Sequence, residues 1–277
     1  MSGPQIALLG AVAGLTIFLG LPVGRLQRPA PRLRTALNAV AIGILLFLLW
    51  DILTAAWEPT DAALGDHRWA SAVTGGLVLT TGLAGGLMGL VYYDRWIARR
   101  QASRLSVSQG PGASALTEQL APRARSRAAR LALMIAIGIG LHNLAEGLAI
   151  GNSAAKGEVS LAVLLIIGFG LHNATEGFGI VAPLAATGER PSWGSLVLLG
   201  LIGGGPTFVG TLIGQQVVNE TAGVAFLGLA AGSIIYVIIE LIAVSRRAGM
   251  KELTTWMILA GLLLGFATDA VVTAAGV

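Results

Sequence analysis

The chain has no cysteine, only 3 histidines, 6% aromatic residues and 12% charged residues in 277. Without thiols there are no disulfides and no thiolate metal sites, and the redox compartment leaves no mark. So few charges exclude an ordinary soluble domain, which carries about 25% Asp, Glu, Lys and Arg. What remains is 55% hydrophobic, with a mean hydropathy of +0.77. A formal net charge of +4 raises the question of nucleic acid. The basic residues gather between apolar runs, however, where they read as markers of one membrane face.

Apolar runs of about 18 to 24 residues, each able to cross a hydrocarbon core of roughly 30 Å, recur eight times. They cover about 5–23, 36–57, 70–93, 131–151, 161–182, 193–215, 221–244 and 254–272. This predicts an all-α polytopic membrane protein, with 1–277 forming a single membrane domain. No Lys or Arg precedes the first run and no cleavage site follows it, so it reads as a permanent helix rather than a signal peptide. Between the third and fourth runs, residues 94–130 are rich in Arg, Ser and Gln and lack apolar periodicity, which predicts a flexible cytoplasmic loop.

Placing alternate loops in the cytoplasm puts 16 of the 18 basic residues inside and leaves Arg68 and Lys156 outside. The positive-inside rule then sets both termini outside, in a plasma membrane of the bacterial inner type.

Two copies of one phrase carry the chemistry. Gly-Leu-His142-Asn143-Leu144-Ala145-Glu146-Gly147 recurs thirty residues later as Gly-Leu-His172-Asn173-Ala174-Thr175-Glu176-Gly177. His and Glu four residues apart lie on one helix face a turn apart, and Asn is about 100° around from His. Each histidine falls eleven residues into its run, about 16 Å along the helix and near the bilayer midplane. A short turn joins the two runs, so they are antiparallel neighbours. An inverted repeat meeting at a central site is the expected arrangement.

Neutral imidazole with carboxylate is a ligand set for zinc, iron, manganese or cobalt. Two unpaired glutamates in lipid would cost several kcal/mol, which a bound cation offsets. His142, Glu146, His172 and Glu176 are therefore candidate metal ligands. Asn143 and Asn173 are candidates too, or interhelical hydrogen-bond donors. In the sixth run Gly203-Gly204-Gly205-Pro206-Thr207 is expected to break or kink the helix and free carbonyls beside a cavity, with Thr207 on the pathway. Asp51 near the outer surface and Glu240 near the inner one are candidate pathway acids.

With the doubled His-Asn-x-x-Glu-Gly on the fourth and fifth of eight runs, the chain resembles the ZIP family of divalent metal transporters over nearly its whole length. The resemblance implies a metal site built from His142, Glu146, His172 and Glu176, with Asn143 and Asn173 in a second site sharing the glutamates. It also implies homodimers and import by alternating access, with divalent metal, zinc foremost, as cargo and no prosthetic group. The chain departs from the family in having Ala145 and Thr175 where proline usually precedes the motif glutamate, and Gly205 where many members place a glutamate. It also lacks histidine in the long loop. The expected partners are metal ions, lipid and a second copy, not nucleic acid. The competing reading is an intramembrane metal-dependent hydrolase, in which bound zinc activates water. No serine or cysteine nucleophile accompanies the motif.

Overall fold

The computed structural model describes residues 3–25, 31–106, 116–155, 159–186, 190–216 and 220–274. Every element among them is helical: α1 (Gly3–Leu15), α2 (Ile17–Gly20), a 3-10 turn (Leu21–Arg25), α3 (Pro31–Gly65), α4 (Trp69–Ser106), α5 (Leu116–Ala155), α6 (Val159–Ala186), α7 (Trp193–Gly214), α8 (Glu220–Ala248) and α9 (Lys251–Ala274). Among the described residues, seven segments are long and apolar enough to cross a membrane, in α1 to the 3-10 turn, α3, α4, α5, α7, α8 and α9. The 28-residue α6 is the remaining long helix.

Local chemistry sets several ends. Ser192, in extended backbone, accepts from Ser195 N at 3.1 Å and starts α7, as an N-cap does. Gly249 takes a left-handed φ of 70° and stops α8, just after Arg246 and Arg247 complement the negative end of the helix dipole. His67, at φ 58°, turns the chain from α3 into α4, and Arg68 N closes the turn on Ala63 O at 2.8 Å.

Two expectations are corrected. The segment 94–130 is largely helical, since α4 continues to Ser106 and α5 begins at Leu116, leaving 107–115 outside the described residues. Its Ala, Arg, Gln and Leu are strong helix formers that need no apolar stripe. The expected break at 203–207 is also absent: α7 runs through Pro206 as one helix. Proline removes the N–H that Ile202 O would accept, and that carbonyl instead lies against Gly140 of α5. The interruption falls in the first run. There Thr16 Oγ1 bonds back to Ala13 O at 2.6 Å, competing with the backbone ladder, and α1 stops one residue earlier.

α5 packs on α6 and α7, and α1 packs on both α6 and α7. A second set consists of α3 against α9 and α4 against α8, joined to the first through α3–α6 and α5–α8. A polar link joins the two sets through α8 and α5, and another ties α3 to α8 within the second set. Ser233 Oγ donates to Gly138 O at 3.0 Å, and Asn38 Nδ2 donates to Leu241 O at 3.1 Å and to Ser245 Oγ at 2.6 Å.

Glycine lets backbones meet where any side chain would collide. A Cβ at Gly147 would strike Thr207 O, and one at Gly210 would strike Leu144 O. The same pair of contacts recurs with the second motif, at Gly177 against Ile17 O and Gly20 against Ala174 O. Gly14 and Gly204 each face the other's carbonyl. Close backbone approach of this kind is how helices associate in lipid, where burial of apolar surface gives no drive.

Gly147→Leu is expected to destabilise the protein by about 3 kcal/mol through overpacking, while Gly89→Leu, where nothing lies within 4 Å, stays within about 0.5 kcal/mol. Thermal unfolding in detergent checks the pair.

Candidate metal-binding site

α5 carries His142, Asn143 and Glu146, and α6 carries His172, Asn173 and Glu176. Both helices are continuous through their motifs, consistent with Ala145 and Thr175 in place of kinking prolines. The side chain of His172 lies outside the described residues. The other five are buried: His142 and Glu176 at 1% exposure, Glu146 at 4%, and Asn143 and Asn173 at 0%.

The α5 and α6 groups converge at one atom. His142 Nε2 stands 2.8 Å from Glu146 Oε1, one turn along α5, and 3.9 Å from Glu176 Oε1 on the neighbouring helix. Imidazole and carboxylate oxygens around a tetrahedral ion at about 2.1 Å are roughly 3.4 Å apart. The two observed separations lie on either side of that value. No set of three or more His, Asp or Glu side chains among the described residues is already gathered to hold an ion. His142 Nε2 and Glu146 Oε1 are close without hydrogen-bond geometry, and Glu176 stands farther from the imidazole.

Each asparagine is held by its neighbour helix. Asn143 Nδ2 donates to Gly203 O of α7 at 2.9 Å, and Asn173 Nδ2 donates to Ala13 O of α1 at 3.2 Å. A carbonyl only accepts, so these bonds fix which end of each amide is nitrogen. The acceptor ends, Asn143 Oδ1 and Asn173 Oδ1, are buried with no hydrogen-bond partner among the described residues. Thr207 Oγ1 is in the same condition on α7, while Thr207 O accepts from Thr211 Oγ1 at 2.8 Å. Three buried neutral oxygens thus stand on the motif helices and on α7, which packs against α5.

The remaining candidates lie elsewhere. Asp51 is exposed on α3, about 30 Å along the helix from Pro31. Glu240 is half-buried and lines a cavity at the arginine-rich end of α8. Sequence reasoning passed over Asn38, Ser233 and Thr211, all buried. Their signal was a lone polar residue inside an apolar run, which marks a polar joint between helices.

Neither a protein-family model nor a curated protein matches the chain.

Asn143→Ala and Asn173→Ala are each expected to cost about 1 kcal/mol, the size of one interhelical hydrogen bond. Unfolding midpoints of the two variants and of the double variant measure this. The two bonds join different helix pairs, so their costs should add.

Proposed function

We propose that the chain is a ZIP-like divalent transition-metal transporter. On this reading it has eight spanning helices in an inverted repeat, with α5 and α6 at its centre. The observation that carries the proposal is buried His142 Nε2 with one buried carboxylate oxygen from its own helix and one from the next.

The recurrence of contacts supports the repeat. Asn143 on Gly203 O and Gly147 against Thr207 O match Asn173 on Ala13 O and Gly177 against Ile17 O. A shift of thirty residues takes α5 to α6, and one of 190 takes α1 to α7. The outer helices follow: Gly43 against Ile258 O corresponds to Gly228 against Leu79 O, and Gly261 against Val40 O corresponds to Gly82 against Ala225 O.

The chemistry starts from the close approach of His142 Nε2 to Glu146 Oε1. An arriving ion would take both groups as ligands, displacing any proton they hold, and would draw Glu176 inward, with His172 completing the set. Asn143 Oδ1 and Asn173 Oδ1 are available as neutral oxygen ligands. Metal binding needs deprotonated ligands and releases protons, so uptake falls as the pH drops and a larger share of the ligands is protonated. The set containing α1, α5, α6 and α7 is a compact unit that can move against the set containing α3, α4, α8 and α9, exposing the site to either side in turn. Zinc is the foremost cargo, with iron, manganese, cobalt and cadmium fitting the same donors. Orientation with both termini outside rests on the arginine distribution, and a homodimer on the resemblance alone.

In proteoliposomes, uptake of zinc, iron, manganese and cadmium is expected to saturate and to be lost in His142→Ala and Glu176→Ala. Folding of each variant is checked by its unfolding midpoint. Metal binding without ion passage would refute the carrier and favour an intramembrane hydrolase.

A further inference from the structure

A cavity of about 720 Å³ opens between the arginine-rich ends of α3, α4, α5, α6 and α8. It shares no residue with the candidate metal site. Four guanidinium groups line it, Arg34, Arg127, Arg130 and Arg247, against two acids, Asp94 and Glu240. The wall thus carries two positive charges in excess.

Two of the four arginines are committed. Arg130 Nε lies 2.9 Å from Asp94 Oδ1, and Arg34 Nη1 donates to Ala185 O at 2.7 Å, at the C-terminal end of α6. Arg127 on α5 and Arg247 on α8 have no ion pair or hydrogen bond among the described residues, although both lie in electrostatic reach of Glu240. They belong to different helix sets and share one cavity.

We propose that this cavity binds a phosphoryl group between Arg127 and Arg247, from the headgroup of an anionic lipid or from a soluble phosphate compound. Guanidinium forks match phosphate oxygens in pairs, with a geometry that lysine lacks. Basic pockets between spanning helices, at the face where positive charge gathers, lie at the level of lipid headgroups. The volume falls in the range of small-molecule sites. A phosphoryl group carrying about two negative charges brings the wall close to neutral and bridges the two helix sets through α5 and α8. This inference is independent of the metal reading, because the cavity lining contains none of the candidate metal ligands.

The test uses the full-length protein in an uncharged detergent. Its unfolding midpoint is followed against inorganic phosphate, against chloride at matched ionic strength, against dioctanoyl phosphatidate and against dioctanoyl phosphatidylcholine. The midpoint is expected to rise by several degrees with a phosphate probe and not with chloride or phosphatidylcholine. In Arg127→Gln and Arg247→Gln the half-saturating concentration should increase at least tenfold, and in Arg68→Gln, on the other side of the molecule, it should not change. A response to phosphatidate alone assigns a lipid headgroup, and a response to inorganic phosphate as well assigns a soluble phosphate. Both arginines are exposed, so the variants should fold, and if one does not, the other carries the comparison. No rise with either probe, or a rise that survives both substitutions, overturns the proposal.

Discussion

Two carboxylates and an imidazole share a few ångströms of space where almost no water reaches. Taking a charged group into such surroundings costs several kcal/mol even after relaxation. His142 Nε2 stands 2.8 Å from Glu146 Oε1, and the approach of Glu176 at 3.9 Å raises the stake. Such an arrangement is stable only if the helices around it are held firmly and if some cationic species balances the carboxylates. A proton bound in the cluster is one such species, and a divalent ion is a stronger one. Exchange between the two is the physical core of the transport reading.

Firm holding comes from the backbone. Gly147 and Gly177 let each motif helix lie against a carbonyl of its neighbour, and Asn143 and Asn173 tie the same helix pairs with side-chain bonds. The motif thus does two jobs with adjacent residues: His142, Glu146 and Glu176 converge, while Asn and Gly dock the helices that present them. Asparagine serves as interhelical donor through Nδ2 and keeps Oδ1 uncommitted, so the two roles weighed for it are compatible.

Much of this was legible in the sequence, because membrane-spanning helices announce themselves by length and hydropathy. The positions of His142, Glu146 and Glu176 in adjoining helices followed from helical periodicity and a short connecting turn. Where reading failed, local chemistry had two outcomes. Pro206 among glycines signals disruption, yet a helix flanked by glycine contacts absorbs the missing bond, and the interruption arises at Thr16, an ordinary-looking residue whose hydroxyl bonds to Ala13 O. The arginines at 94–130 read as a loop because polar composition and missing apolar periodicity were weighed, while helix propensity favoured continuation. Arg127 and Arg247 read as topology markers, since no sequence rule brings residues on α5 and α8 into one cavity. Asp51 was placed near the outer surface by position alone, and it is exposed on α3.

The most direct test of the central claim is X-ray absorption at the zinc edge of the full-length protein loaded with one equivalent of zinc and desalted. The account predicts retained metal with a shell of light N and O donors at about 2.0 to 2.1 Å, with imidazole scattering that weakens in His142→Ala. Loss of the metal on desalting, or a shell without imidazole, would contradict it.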